Sequence, residues 1–273
     1  CIAKLGAKPL PAWMMAVMAQ TDALIASSAA SAAAGGPGAP AGPLCMLLWS
    51  LATIGFHPPA AWTRRLLAAL APAVRSVTAQ DWVQLLKGLQ LLGQGAALEG
   101  WMPWAACAHV LRSPSASPMA LAHMGWALAR LKQVPPPEWR AAYADAVRRL
   151  AASPEAAWGG EGVRHLALAL WALSVWQRAA GGSSRAASAA AHAVLDTAQP
   201  HLPAASSTAL LTLLQSASNL LARPPRASDV QPPGGCLAPH VAQAVLSASA
   251  ARLPTMDAAE LQRLVAALRD LGV

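Results

Sequence analysis

One fourteen-residue pattern occurs twice in the sequence, and it restricts the possible fold more than any other feature. WSLATIGFHPPAAW occupies residues 49–62 and WALARLKQVPPPEW occupies residues 126–139. Each copy begins and ends with tryptophan and has consecutive prolines before the second tryptophan. Proline ends a preceding helix, because it lacks an N–H donor and its ring clashes with the turn before it. We therefore predict two helices in each copy, separated by a short break. We call the first helix A and the second helix B.

The residues after the break favour a new helix. Proline near the first turn of helix B already has the backbone angle that a helix requires. Glu138 lies in that first turn, where a negative charge stabilises the positive end of a helix. Trp62, Leu66 and Leu70 recur at spacings of four residues, so they share one face of helix B. We predict that the tryptophan at the start of helix B packs in the core rather than stacking on a ligand.

Weaker copies extend the pattern along nearly the whole chain. Positions equivalent to Trp49 form what we call the anchor column: Trp49, Lys87, Trp126, Trp171, Gln215 and Ala266. The shortest intervals in this column are 38 and 39 residues. Low-complexity inserts rich in Gly, Ser, Ala and Pro occupy 27–43, 181–190 and 226–238, and we predict that they are loops.

Repeated helix pairs predict an all-α fold, because one pair cannot bury its apolar faces but stacked pairs can. Composition agrees: the chain has 11 Trp but only one Phe and one Tyr, and Ala and Leu are abundant. We expect a single α-solenoid over residues 1–273, truncated at both ends. Five A/B pairs are predicted to start near residues 44, 82, 119, 164 and 208.

The unit of about 38 residues with a PPPEW break and a preceding WALARL helix resembles the octotricopeptide repeat, a family of organelle RNA-binding proteins in green algae. The helical repeats of FAST-kinase-like proteins are a more distant resemblance. This resemblance implies sequence-selective binding of single-stranded RNA in a chloroplast or mitochondrion, supporting RNA processing, stability or translation. Other organellar RNA-maturation proteins would be further partners. The copies at 87 and 171 lack the double proline, and inserts lengthen three intervals between copies. Both features depart from a regular array in which each repeat contacts one base.

Three sets of equivalent positions lie on one face of helix A, because offsets of four and three residues return to the same side. The first column holds Met46, Gln84, His123, Leu168, Thr212 and Arg263; the middle column holds Ser50, Gly88, Ala127, Ala172, Ser216 and Ala267; the third column holds Thr53, Leu91, Arg130, Val175, Asn219 and Asp270. The middle column is always small. We expect it to let a base approach the helix, with variable neighbours bonding the base edge.

Two sets of candidate RNA-binding residues follow from these columns. The base-facing candidates are Gln84, His123, Arg130, Thr53, Ser50, Thr212, Ser216, Asn219, Arg263 and Asp270. The phosphate-contacting candidates are Lys87, Lys132, Arg164 and Arg223. The alternative interpretation is that the small residues merely let neighbouring A helices pack closely and that the variable columns are ordinary solvated surface.

The net charge of +8 favours a polyanionic partner, although a GC-rich coding sequence would also raise the arginine content. The sequence contains neither HExxH nor a phosphate-binding P-loop, so we expect neither an enzyme nor a binder of metals, cofactors or small-molecule substrates. The main rival to RNA binding is a protein-binding helical-repeat scaffold. A groove that binds RNA should be basic and its binding should depend steeply on salt.

The four cysteines show no paired spacing, which indicates small buried thiols in a reducing compartment rather than disulfides. The apolar run at 44–56 is too short to span a bilayer, so no membrane partner is expected. Because the chain begins at Cys1, we expect any targeting peptide to lie outside this sequence and the organellar protein to be soluble.

Overall fold

The structure is a computed structural model that describes residues 10–33, 41–113, 116–153, 159–181, 184–221 and 237–273. Across these residues every regular element is a helix, which confirms the all-α prediction. The α-helices are α1 Pro11–Ala33, α2 Ala41–Thr53, α3 Ala60–Leu70, α4 Ala79–Leu91, α5 Trp104–Arg112, α6 Pro118–Arg130, α7 Pro137–Ala151, α8 Gly160–Ala179, α9 Arg185–Ala198, α10 Ser207–Leu221, α11 Pro239–Ala250 and α12 Ala258–Leu271. Short 3-10 helices follow α3, α9 and α11 and precede α5.

The helices alternate as the repeat predicts. Helices α2, α4, α6, α8, α10 and α12 are A helices, and each of them contains one anchor residue. Helices α3, α5, α7, α9 and α11 are the B helices that complete five pairs, and α1 is the B helix of the truncated first copy. Pro59 and Pro136 are the N-cap residues of α3 and α7, so the prolines do separate helix A from helix B.

Two of the predicted loops are partly helical. Helix α1 continues to Ala33 and α2 begins at Ala41, so the described part of 27–43 is helix. Helix α9 begins at Arg185, with the Ser184 side chain accepting a hydrogen bond from the backbone N–H of Ala187. Alanine has the highest helix propensity and serine is a good N-cap, which explains both differences. Most of 226–238 lies outside the described residues, and α11 begins directly after it.

The left-handed backbone position at the end of helix A recurs between copies. Gly55, Gly93 and Gly272 follow three A helices with φ of 75°, 66° and 73°. Lys132 occupies the equivalent position after α6 with φ of 58°. Only glycine adopts this conformation without steric cost, so Lys132 is held there against its own preference.

The chain divides into two compact units. The first comprises Cys1–Ala116 with Arg130–Gln133, and the second comprises Ser117–Ala129 with Val134–Val273. In the first unit α2 packs on α4 and α1 packs on α3. In the second unit α8 packs on α10, α10 packs on α12, and α7 packs on α9. Within each unit A helices thus pack on A helices and B helices on B helices, as stacked pairs require. The single solenoid over residues 1–273 stays a prediction.

The tryptophans that follow the two proline breaks, Trp62 of α3 and Trp139 of α7, lie in the core. Trp62 and Trp139 are 1% and 3% exposed. Trp139 stacks on Tyr143 with ring centroids 5.4 Å apart, and Trp176 of α8 meets Trp139 edge-on at 5.7 Å. In the first unit Leu66 and Leu70 are fully buried beside Trp62 on the same face of α3. The predicted core position of the tryptophan at the start of helix B is confirmed for Trp62 and Trp139, whereas Trp13 of α1 is 45% exposed.

Candidate nucleic-acid interface

The middle column is buried between helices. Five of its six residues are buried and only Ser50 is half-buried; the buried residues are Gly88, Ala127, Ala172, Ser216 and Ala267. These residues are small because neighbouring A helices approach closely. A β-carbon at Gly88 would lie 3.1 Å from the backbone nitrogen of Trp49 in α2. The expectation that this column admits a base is therefore wrong, because the next helix already fills that space. Ser216 does not face a base.

The first and third columns reach solvent. Among the first-column candidates, Arg263 is exposed, whereas Gln84, His123 and Thr212 are half-buried. The third-column candidates are all exposed: Thr53, Arg130, Asn219 and Asp270. Together with the anchor column, these two columns form the solvent-facing surface of each A helix, which we call the stripe. The middle-column residue lies on the same side of each helix, at the edge of this stripe where the neighbouring A helix packs.

Along each helix the anchor column lies between the first and third columns, and of its residues only Lys87 was assigned to the interface from the sequence. Trp49, Lys87, Trp126, Trp171 and Gln215 are half-buried, and Ala266 is exposed. These anchor tryptophans differ from Trp62 and Trp139 at the start of α3 and α7, which are buried. One signal in the sequence pointed to this difference. The anchor column contains Lys and Gln in some copies, and a core position does not accept those residues without a partner.

The side chains of the stripe differ in the hydrogen bonds that they still offer. The Thr53 and Thr212 hydroxyls donate to the carbonyls of Trp49 and Thr208 in their own helices, at 2.8 and 2.7 Å. Each hydroxyl oxygen therefore keeps its capacity to accept a bond from a base amino group. The exposed amide of Asn219, about two turns further along α10 from Thr212, provides both donors and an acceptor.

The helix α12 candidates are already engaged with neighbouring groups. The Nε of Arg263 donates to the Ala259 carbonyl at 3.3 Å, and Asp270 accepts from Arg269 at 3.0 Å. Both contacts are on the exposed surface, where such pairs contribute little to stability and exchange readily. Because α12 packs on α10, Arg263 and Asp270 lie next to the Thr212 and Asn219 helix in the second unit.

Helices α6 and α8 contact each other through two histidines. The imidazoles of His123 and His165 are in edge-to-face contact, with ring centroids 5.7 Å apart. A β-carbon at Gly125 would also lie 3.2 Å from the β-carbon of Ala172. The stripes of α6 and α8 are therefore neighbours in the second unit.

The phosphate-contacting candidates have different surroundings. Lys87 is half-buried in the anchor column, and Lys132 is exposed in the left-handed position after α6. Arg164 forms an exposed ion pair with Glu161 at 3.2 Å. Arg223 lies outside the described residues.

Every carboxylate within the described A helices already has a polar partner. Asp81 accepts from Thr78 in a capping box, and Glu260 accepts from the backbone of Asp257 in a second one. Glu161 and Asp270 pair with Arg164 and Arg269. Helices α2, α6 and α10 contain no acidic residue. The stripe thus offers little that would repel a polyanion.

One buried thiol lies in α2 beneath the stripe of the first unit. Burial, and secondarily the nearby charge of Asp81, raises the pKa of Cys45 to about 12. The thiol is therefore protonated at neutral pH, and a protonated, fully buried thiol is a poor nucleophile.

No protein-family model, curated protein or solved structure matches the chain. Within the described part of the chain, no three His, Cys, Asp or Glu side chains come together as metal ligands would. Helices long and apolar enough to cross a bilayer are also absent from that part.

Proposed function

We propose that the chain binds single-stranded RNA along the exposed stripe of its A helices. The observation that carries the proposal is the stripe itself. In every described A helix the first, anchor and third columns reach solvent, and their side chains change from copy to copy while the frame stays constant. Helical repeats that contact one base each have this arrangement.

The chemistry of the variable columns suits base edges. Gln84, Thr212 and Asn219 provide neutral donors or acceptors, and Arg130 and Arg263 provide guanidinium forks. Bases of single-stranded RNA are unstacked and expose the edges that such side chains can bond. The second unit has four A helices, so at one base per helix it would contact about four nucleotides.

The charge of the chain is compatible with an RNA backbone. The chain carries a net charge of +8, and the carboxylates of the described A helices are already paired. Phosphate contacts would come from Lys87, Lys132 and Arg164 among the described residues. The Arg164–Glu161 pair is exposed on both sides, so a phosphate could replace the glutamate at small cost.

The biological setting rests on the octotricopeptide resemblance. By that resemblance the RNA would be a chloroplast or mitochondrial transcript, and binding would support its processing, stability or translation. The PPPEW break at 135–139 and the alternation of A and B helices are the features of this chain that support the resemblance.

A protein-binding scaffold is the second candidate, and one observation in the first unit favours it. Met46 of α2 and Leu91 of α4 are both 52% exposed on the stripe. Exposed apolar side chains on neighbouring helices are typical of a protein-binding surface. They do not bond base edges.

The test is selection from a random pool of single-stranded RNA with the full 273-residue chain. We expect enrichment of a short motif, with affinity that decreases as salt increases at a slope near −0.7 per phosphate neutralised. Double-stranded RNA of the same sequence should bind weakly, because its base edges are paired. If no RNA is retained at low salt, RNA binding is wrong and the apolar surface at Met46 and Leu91 becomes the leading site.

A further inference from the structure

The anchor tryptophans are more exposed than the three tryptophans that are most deeply buried in the core. Trp62, Trp82 and Trp176 are at most 1% exposed. Trp126 and Trp171 remain half-buried, although each lies in the middle of an A helix with a buried middle-column residue next to it. An indole that keeps part of its ring in water on a helix surface has apolar area available for a flat partner.

Trp126 and Trp171 belong to neighbouring helices of the second unit. Helices α6 and α8 are joined by the His123–His165 contact at 5.7 Å and by the close approach of Gly125 to Ala172. The two indoles occupy the same repeat position on these helices. The second unit therefore presents two aromatic side chains on adjacent stripes.

The residues around Trp171 favour stacking on the face of a base over hydrogen bonding to its edge. Its neighbours in the first and third columns are Leu168 and Val175, which have no polar side-chain atoms. This copy cannot bond a base edge, but an indole between two aliphatic side chains suits the face of a base. In α10 the arrangement is reversed: Gln215 lies in the anchor column between Thr212 and Asn219. That copy has no aromatic ring and three polar groups.

We propose that Trp126 and Trp171 stack on nucleobases of the bound RNA, whereas the α10 copy bonds a base edge. The proposal rests on the proposed function. The partner of the two indoles is RNA, because the helices around them do not repel a polyanion. Helices α6 and α10 contain no carboxylate, and Glu161 of α8 is paired with Arg164. Stacking depends on the flat face that every base has, so it contributes affinity with little sequence preference. Preference then comes from polar copies such as α10.

The test compares RNA with and without bases. The probes are a pool of random-sequence RNA dodecamers and a dodecamer of the same backbone in which every nucleotide is abasic. The variants are Trp126→Leu and Trp171→Leu, which keep apolar volume but lose the aromatic face. Trp126→Phe and Trp171→Phe keep an aromatic face. Trp13→Leu is the matched control, because Trp13 is 45% exposed on α1, a B helix.

We expect each leucine variant to bind the random pool about 5- to 150-fold more weakly, the range that loss of one stacked base implies. Affinity for the abasic dodecamer should change less than twofold, the phenylalanine variants should keep most of the binding, and Trp13→Leu should bind like the wild type. Thermal melting of each variant identifies any that fail to fold. If a leucine variant fails to fold, the phenylalanine variant at that position is compared with the wild type instead.

The outcomes separate this proposal from the proposed function. If the wild type binds the pool but the leucine variants bind it equally well, the anchor tryptophans do not stack and RNA binding stands. If the leucine variants lose pool and abasic binding equally, their role is structural and stacking is wrong. If the wild type binds neither probe, both proposals are wrong and the stripe is left to a protein partner.

Discussion

Tyr143 of α7 packs directly on Gly125 of α6. A β-carbon at Gly125 would lie 2.6 Å from the Cζ of Tyr143, closer than real β-carbons approach other atoms. The Tyr143 hydroxyl donates a 3.0 Å hydrogen bond to the carbonyl of Leu121, one turn before Gly125. Both tyrosine and glycine are buried. This contact joins helix A to helix B of one repeat, and it leaves no room for a side chain at position 125.

Replacing Gly125 with alanine should therefore destabilise the fold. Overpacking of this kind costs about 1–3 kcal/mol, and the better helix propensity of alanine offsets about 1 kcal/mol of that cost. We expect a net decrease in the free energy of unfolding, measured by urea denaturation. Tyr143→Leu combined with Gly125→Ala should cost less than the sum of the single changes, because the leucine variant removes the clash. Simple additivity would contradict the contact.

Truncating the tryptophans that begin the B helices should have a larger effect. Trp62→Ala and Trp139→Ala should each lower the free energy of unfolding by about 3–5 kcal/mol, because both indoles are buried in the core. Trp13→Ala is the control on the surface of α1. Thermal melting of the three variants checks this directly. Unchanged melting together with lost RNA binding would instead make Trp62 and Trp139 ligand contacts.

The helix order could be predicted from the sequence because its signals are local. Proline pairs, the glycine after helix A and the tryptophan spacing act within one repeat, and each places a helix end where the structure has it. The loops at 27–43 and 181–190 were predicted too broadly for the same kind of reason. Their Ala and Ser residues were taken as low-complexity loop, although alanine favours helix and Ser184 caps one.

The interface was harder to predict because it depends on which side of helix A the next helix covers. Residue spacing places Ser216 and Thr212 on the same side of α10 but does not say which of them is buried. Helix packing buries Ser216 and leaves Thr212 at the surface. The anchor column could have been identified as partly exposed from Lys87 and Gln215, which are polar where other copies have tryptophan. The shape of a tryptophan alone does not distinguish a core position from a stacking position.

Stability should fall at alkaline pH because of two buried acids. Burial raises the pKa of Cys45 from 9.0 to about 12, and burial also raises the pKa of Tyr143 above its ordinary value of 10.0. Between the unfolded and folded pKa values the unfolded chain has released the proton and the folded chain has not, so unfolding becomes easier as pH rises. The stabilisation is complete below about pH 9 and decreases above it.

The slope of this decrease gives the measurement. Each group should lower the free energy of unfolding by up to about 1.4 kcal/mol per pH unit, Cys45 from about pH 9 and Tyr143 from about pH 10. Urea denaturation at pH 8 to 11 measures it. Cys45→Ala should flatten the curve between pH 9 and 10, and Tyr143→Phe should flatten it above pH 10. Comparing slopes rather than absolute values removes the packing cost of each substitution. Identical slopes in all three proteins would contradict the assignment.

Lys132 should show opposite effects on stability and binding. It adopts φ of 58° where equivalent copies have glycine, so Lys132→Gly relieves a steric cost of about 1–2 kcal/mol. The greater freedom of glycine in the unfolded chain offsets about half of that gain. We expect a net stabilisation of about 0.5–1 kcal/mol by urea denaturation.

The same variant should weaken RNA binding if Lys132 contacts a phosphate. The loss should be similar for all RNA sequences, and the slope of log K against log salt should decrease by about 0.7. Lys132→Arg keeps the charge and is the control for binding. A stabilised Lys132→Gly variant with unchanged affinity would remove Lys132 from the phosphate contacts while leaving the steric explanation intact.

Sequence preference should depend on the surface positions of α10 and not on its buried position. Thr212 and Asn219 lie on the exposed stripe, whereas Ser216 between them is 1% exposed and its hydroxyl has no hydrogen-bond partner among the residues that the structure describes. Exchanging Thr212→Asn or Asn219→Gln should shift the preference at one nucleotide by about 1–3 kcal/mol, the value of a good base contact. Ser216→Ala should leave preference unchanged and increase stability by about 1 kcal/mol, because a buried hydroxyl without a partner is costly.

Competition binding across single-nucleotide RNA variants measures preference, and thermal melting measures stability. A changed preference in Ser216→Ala would return the middle column to the interface, and an unchanged preference in both surface variants would remove α10 from it.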